Sequence, residues 1–178
     1  MIEDVLIDSV SWTRMRSVMG SSEFVPEAIK ALLNAATEEQ AESAYWRLDN
    51  RVVVQGQLFE SAQWVIAPLL LGLVSNRPGF VRQNVANLLV EIAVGEPDET
   101  ELSVGNELLG AQCRAELKGG LWVIYALLDD PLPMVRLGAL DLLDVVEDNR
   151  TRLAFAVSHL RSDQNRSVAK RASELIRT

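Results

Sequence analysis

The chain contains one cysteine, Cys113, and one histidine, His159. A single cysteine excludes an internal disulfide, and this pair cannot supply the usual four-ligand Cys/His zinc site. A Cys–His nucleophile pair is conceivable, but Cys113 has Leu109 and Leu117 four residues to either side, an apolar setting in which a thiol is inert. No Gly-rich phosphate loop, Gly-x-Ser-x-Gly elbow or His-Glu-x-x-His helix is present. The sequence therefore predicts a protein that is not an enzyme, with no catalytic residue, metal or cofactor.

Long apolar segments and an export leader are also missing. The longest apolar run, from Trp64 to Val74, is about half the length of a bilayer-spanning helix and contains Pro68. The opening residues Met1-Ile2-Glu3-Asp4 lack the basic start and the apolar core of a signal peptide. We therefore expect a cytoplasmic protein with no membrane partner. Its 178 residues suit one domain, 1–178, with a substantial core.

Basic residues are scarce over most of the chain. Residues 1–147 carry 22 acidic and 10 basic side chains, whereas residues 148–178 carry 3 acidic and 7 basic ones. An acidic body repels a phosphate backbone and speeds encounter with a basic protein, although the same acids also favour solubility. The basic C-terminal side chains suit the outer face of a terminal helix. The charge distribution thus predicts a protein partner with a basic surface, and no nucleic acid.

What the chain does contain is an internal repeat headed by Val81, Val135 and Val168. Counting from each valine, positions +4, +7 and +8 are apolar, which is one stripe of an α-helix used three times. These residues are Val85, Leu88 and Leu89, then Ala139, Leu142 and Leu143, then Ala172, Leu175 and Ile176. Arginine follows the first two valines, as Arg82 and Arg136, but not the third. The repetition predicts an all-α fold of stacked helix pairs.

Turn residues and the repeat divide the chain into about four helix pairs that follow an irregular N-terminal segment, 1–25. The interval between the first two valines is 54 residues and that between the second and third is 33. Because the first interval is longer than the second, we expect an extra helix inserted around residues 99–118. The helices of the four pairs are expected at 26–36 and 38–48, 58–74 and 80–94, 121–128 and 133–147, and 150–161 and 165–177.

The segment 52–57 allows two interpretations. Its run Val52-Val53-Val54 is β-branched, which favours a short strand. An isolated strand is poorly stable, however, and no second strand candidate is evident elsewhere in the sequence. We therefore expect a bend between helices, or the start of the next helix.

The stretch Asp129-Asp130-Pro131-Leu132-Pro133-Met134-Val135-Arg136, followed by Gly138 to Leu143, resembles HEAT repeats, in which a proline turn precedes a helix with a Val-Arg pair and a small-Leu pattern. The resemblance covers residues 60–177 and implies an α-solenoid of about four antiparallel helix pairs. A second stretch, Tyr45 to Asn50 with Gln55 to Gln57, is similar to small bacterial HEAT-like proteins, some encoded beside secreted toxins. That similarity implies a toxin-associated immunity protein.

The richest concentration of aromatic and hydrogen-bonding side chains lies between residues 45 and 60. Trp46 is about 140° around its helix from the apolar residue Ala41, so its side chain is expected to face away from the core. Exposed aromatic residues are typical anchors of protein interfaces. Alternatively, the segment 51–58 folds back and covers Trp46. The predicted partner-binding residues here are Trp46, Asp49, Asn50, Gln55, Gln57 and Glu60.

A second candidate surface consists of Asp141, Asp144 and Asp148 on the outer side of one helix. Glu147 and the turn residues Asp129 and Asp130 are expected nearby, so that six acids converge. Such a patch could bind a basic partner, for example the nucleic-acid-binding surface of a nuclease. The alternative is an ordinary solvated face.

These features together predict a protein-binding module, most specifically an immunity protein that binds and neutralises a cognate bacterial toxin. An adaptor subunit of a larger complex is an alternative, and homodimerisation through the helix 121–128 is open. HEAT-like DNA glycosylases and bilin lyases are further alternatives. The acidic balance of the first 147 residues disfavours duplex binding by a glycosylase.

Overall fold

The computed structural model describes residues 2–177, so Met1 and Thr178 lie outside the described range. Within that range the chain forms eleven α-helices and five two-residue strands, which confirms the prediction of a mainly helical protein. The helices are α1 (Ile2–Asp8), α2 (Val25–Leu33), α3 (Glu38–Val52), α4 (Ser61–Val74), α5 (Gly79–Val94), α6 (Glu99–Ser103), α7 (Leu109–Gly119), α8 (Leu121–Ala126), α9 (Pro133–Val146), α10 (Arg150–Val157) and α11 (Arg166–Leu175). The strands are β1 (Arg16–Ser17), β2 (Gly20–Ser21), β3 (Val53–Val54), β4 (Gln57–Leu58) and β5 (Glu96–Pro97). Short 3₁₀ helices occur at Trp12–Arg14, Leu127–Asp129 and Ser158–Ser162. No helix among residues 2–177 is both long and apolar enough to cross a bilayer.

The helices that carry the repeated apolar stripe pack against one another in chain order. Helix α5 contacts α9, and α9 contacts α11, while α3 lies on the other side of this series in contact with α5. Each of these four helices also contacts the helix before it in its predicted pair, namely α2, α4, α8 or α10. One cluster of buried side chains extends from Ile7 to Leu175, so the same core runs through all the repeats.

The stripe itself is buried as predicted. Val81, Val135 and Val168 are fully buried, and so are the leucines that follow the first two valines at +7 and +8. In the last copy the burial weakens at its end, because Ile176 is only partly buried. The repeated positions therefore lie in the core that the successive helices share.

Two ion pairs link consecutive copies of the repeat. The guanidinium of Arg82 donates to the carboxylate of Asp130, with Nε 2.6 Å from Oδ2. Arg136 binds Asp163 in the same way, with Nε 2.8 Å from Oδ2. Both arginines follow a stripe valine, and both aspartates stand five residues before the next one. The third copy has Ala169 at the arginine position, so this series of pairs ends there.

A three-stranded sheet replaces the bend expected at residues 52–57. Strand β3 pairs antiparallel with β4, and β4 pairs parallel with β5. Between β3 and β4, Gln55 and Gly56 both adopt positive φ values, 52° and 79°, as the tight turns of two-residue hairpins require. The interpretation as a bend was wrong because β3 and β4 both find pairing partners: β4 follows β3 after only two residues, and β5 lies just before the inserted helices.

The segment 1–25 was expected to be irregular, and this expectation also needs correction. It contains α1, a 3₁₀ helix and the β1–β2 hairpin. Buried charges fix it to the body: Glu3 pairs with Arg77, and Arg16 donates to Glu101 with Nη2 2.7 Å from Oε2. Glu101 belongs to the inserted region, which forms two helices, α6 and α7, where one was predicted.

Candidate protein-binding surface

Helix α3 presents Trp46 on the side opposite its buried face. The helix starts after Thr37, whose Oγ1 accepts a hydrogen bond from the backbone N–H of Gln40 at 3.3 Å. Ala41, Ala44 and Leu48 then point into the core. Because Trp46 lies on the other side of the helical wheel from these positions, 51% of its surface stays exposed. The segment 51–58 therefore leaves much of Trp46 open to solvent, and the prediction of an exposed aromatic side chain is confirmed.

The Trp46 ring is held in place by its neighbour. Its centroid lies 5.1 Å from that of Tyr45, with an angle of 78° between the ring planes. This edge-to-face arrangement is a favoured aromatic geometry. Asn50 donates from Nδ2 to the carbonyl oxygen of Trp46 at 2.8 Å, so its amide nitrogen is bonded to the backbone of its own helix.

A groove runs past these rings, across α3, α5 and α9. It consists of two adjoining depressions of about 350 and 260 Å³ that share Tyr45 and Asn87 as lining residues. The first is further lined by Glu38, Glu42, Trp46, Gln83 and Asn84. The second is further lined by Val90, Glu91, Met134, Leu137, Gly138 and Asp141. We call this surface the Trp46 groove.

The groove is acidic. Among the described residues that line it, none is lysine or arginine. Glu38, Glu42 and Glu91 make no ion pair within residues 2–177. The groove therefore offers carboxylates and aromatic rings to an incoming group, and its negative charge is left uncompensated along α3 and α5.

Burial and like charge raise the pKa values of Tyr45, which lines the groove, and of Asp49, one helical turn after it. Partial burial raises the pKa of Tyr45 to about 12, with further contributions from the charges of Asp49 and Glu91. The pKa of Asp49 is raised for the same two reasons, burial first and the Glu91 carboxylate second. A cation bound in the groove would lower the pKa of Asp49, because a nearby opposite charge favours the ionised carboxylate.

The second predicted surface, on α9, is largely neutralised by the chain itself. Asp141 and Asp144 accept hydrogen bonds from Arg171 at 2.6 and 2.8 Å. Asp148 pairs with Lys118 at 2.9 Å. The expected convergence of six acids on one exposed face is wrong in part, because Asp130 and Glu147 are buried and hold arginines of their own, Arg82 and Arg152. Of the three aspartates, Asp141 alone also lines the Trp46 groove.

The remaining predicted residues are placed apart from the groove. Gln55 and Gln57 are exposed on the β3–β4 hairpin that follows α3. Glu60 is half-buried and accepts a hydrogen bond from the backbone N–H of Arg16 at 3.1 Å, so it anchors the N-terminal hairpin. The groove residues Asn84, Asn87 and Glu91 were not anticipated. They occupy the polar side of a stripe helix, and that pattern was visible in the sequence.

The setting of Cys113 is that of an unreactive thiol. Cys113 is fully buried, and desolvation raises its pKa to about 12, so little thiolate forms near neutral pH. Within residues 2–177 no three His, Cys, Asp or Glu side chains are grouped so as to hold a metal ion.

Comparison of the chain with models of protein families, with curated proteins and with solved structures finds no match.

Proposed function

We propose that the chain is a HEAT-like α-solenoid of about four antiparallel helix pairs that acts as a protein-binding module. The chain-order packing of α3, α5, α9 and α11 supports this architecture. The Arg82–Asp130 and Arg136–Asp163 pairs support it further, because they relate one copy to the next by the same contact. In such arrays each unit contacts its neighbours and the row of helices presents an extended binding surface.

The partner is a protein with a basic surface, and the Trp46 groove is where it binds. The observation that carries this proposal is the half-exposed Trp46 among carboxylates that no described lysine or arginine neutralises. Aromatic residues concentrate binding energy in protein interfaces, and uncompensated acids accelerate encounter with a basic partner. A nucleic-acid ligand is disfavoured for the same electrostatic reason.

The specific function we propose is that of an immunity protein, which binds a cognate bacterial toxin in the cytoplasm and neutralises it. Binding through an acidic groove would cover a basic surface of the toxin, such as one that contacts nucleic acid. No catalytic step is required of this chain, because occupancy alone blocks the toxin.

Co-expression with the product of an adjacent toxin gene tests this function. We expect the two proteins to co-purify and the chain to restore growth of cells that express the toxin. Trp46→Ala should weaken capture at least tenfold, as expected for an interface hot spot. The matched control is Trp122→Ala, which removes another exposed tryptophan from a different surface. Neither co-purification nor growth rescue would reject the immunity function.

A further inference from the structure

We infer that the Trp46 groove binds an arginine side chain of the partner protein, with the guanidinium placed against the Trp46 ring and between carboxylates of α3 and α5. This inference depends on the proposed protein-binding function and specifies the chemistry of the contact. It rests on a comparison of Trp46 with the other exposed phenylalanine and tryptophan side chains of residues 2–177, which are Phe24, Trp64, Trp122 and Phe155.

Two of these aromatic side chains are covered by an arginine of the same chain. The guanidinium carbon of Arg152 lies 5.9 Å from the centroid of the Trp122 ring and 6.0 Å from that of Tyr125. Arg51 lies 5.9 Å from the centroid of the Phe24 ring. These distances lie at the outer limit of cation–π contacts, about 6 Å, within which the ring face attracts the positive charge.

The Trp122 site shows the full set of groups that holds such an arginine. Trp122 and Tyr125 form an aromatic pair with centroids 6.3 Å apart. Glu147 accepts hydrogen bonds from Nε and Nη2 of Arg152 at 2.7 and 2.8 Å. The arginine is thus held by two rings and by one carboxylate that binds it at two points, a strong geometry for this side chain.

Trp46 has comparable neighbours, but no arginine of residues 2–177 is placed over its ring, and it differs from Trp64 and Phe155 in having an aromatic partner. Its aromatic partner is Tyr45, Glu42 stands one helical turn before it, and Asp49 lies three residues after it. The arginines of α3 are engaged elsewhere: Arg47 is 3.7 Å from Glu27, and Arg51 covers Phe24. A partner arginine would complete at Trp46 the arrangement that the chain completes internally at Trp122.

The opposite wall of the groove favours arginine over lysine. Gln83, Asn84 and Asn87 of α5 line the same depression as Trp46 and carry side-chain amide oxygens. The amide nitrogen of Asn84 donates to the carbonyl of Phe80 at 2.8 Å, which leaves its oxygen free to accept. A planar guanidinium presents five donors and stacks on an aromatic face, whereas an ammonium is a strongly hydrated point charge. Several acceptors around one ring therefore suit the guanidinium better.

The test uses the full-length chain and two peptide probes, hexaarginine and hexalysine. The indole N–H signals of the four tryptophans are followed by ¹⁵N NMR during titration, and Trp46→Phe identifies the signal of Trp46. We expect hexaarginine to shift that signal more than the other three, and to bind several-fold more tightly than hexalysine. Equal shifts at all tryptophans, or tighter binding of hexalysine, would overturn the inference.

Two variants that each remove two negative charges distinguish a specific arginine site from nonspecific electrostatic attraction. Glu42→Gln with Glu91→Gln should weaken hexaarginine binding about tenfold, which corresponds to about 1.4 kcal/mol. The control, Glu23→Gln with Glu107→Gln, removes two exposed acids outside the groove and should change binding less than twofold. An equal loss in both variants would mean that binding follows net charge alone, and the inference would be abandoned.

Failure of this inference can be distinguished from failure of the proposed function. If the toxin co-purifies equally well with the wild type and with the Glu42→Gln/Glu91→Gln variant, protein binding stands and the arginine site is wrong. If no toxin is captured but hexaarginine still moves the Trp46 signal selectively, the arginine site stands and the immunity function is wrong.

Discussion

Arg136 binds Asp163 at two points, through Nε at 2.8 Å and Nη2 at 2.9 Å, although 27 residues separate them in the sequence. Both side chains are largely buried, with 14% and 7% of their surface exposed. Asp163 also accepts from the backbone N–H of Asn165 at 2.7 Å, so it orders the turn before α11. The pair therefore fixes both the turn of the last repeat and its contact with the preceding helix.

Removal of the Asp163 carboxylate should destabilise the folded protein. We expect Asp163→Ala to lower the free energy of unfolding by about 3 kcal/mol, because the buried guanidinium of Arg136 would lose its partner. Urea denaturation measures the change. The control is Asp148→Ala, which breaks the exposed pair with Lys118 and should have little effect. Equal losses in the two variants would show that burial does not strengthen the Arg136–Asp163 pair.

A cavity in the repeated stripe should weaken the protein. Leu142 is fully buried, and Leu142→Ala should lower stability by about 2–5 kcal/mol through lost burial and the cavity left behind. Leu102 supports a matched control, since it is 46% exposed and Leu102→Ala leaves the stripe intact. Thermal melting distinguishes them. A melting curve for Leu142→Ala that matches the wild type would contradict the assignment of Leu142 to the core.

The turn between β3 and β4 requires glycine for its backbone conformation. Gly56 has a φ of +79°, and a methyl group there would meet no atom within 4 Å. Gly56→Ala should therefore cost about 1 kcal/mol from backbone strain alone. Gly119 also has open space around it but lacks a positive φ, so Gly119→Ala should be neutral or slightly stabilising. Chemical denaturation of both variants tests whether the positive φ at position 56, and not a lack of space for a side chain, requires glycine there.

Binding of a cation in the Trp46 groove should depend on pH through Asp49. Burial and the Glu91 charge raise the pKa of Asp49, so it takes up a proton at a higher pH than an ordinary aspartate. A bound cation favours the ionised form, and affinity for hexaarginine should therefore fall as pH decreases through this raised value. Titrations between pH 7 and pH 4 measure the trend. In Asp49→Asn the decline should be shallower, and an unchanged slope would exclude Asp49 from the contact.

The sequence predicted those features that depend on neighbouring residues of one helix. The stripe at Val81 and Val135 identified the buried face, because helical periodicity alone decides which positions meet the core. Trp46 was assigned to the exposed side on the same grounds. Such angular arguments succeed when a helix is long and has one clear apolar face.

Features that depend on distant pairing were missed. Strand β4 pairs with β5 across almost forty residues, and only the fold brings them together. The patch at Asp141 was expected to carry free charge, but Arg171 is placed beside it by the packing of α11 on α9. Sequence charge counts cannot show which acids are neutralised, because the neutralising base comes from another helix.

Cys113 lies in α7, which packs on α4 and α5, and it is the chain's single thiol. A thiol that is shielded and protonated near neutral pH reacts with a disulfide reagent only when these helices separate. The rate of its labelling therefore measures how often the middle of the molecule opens. Cys113 is thus a native probe of local unfolding, and no engineered reporter is required.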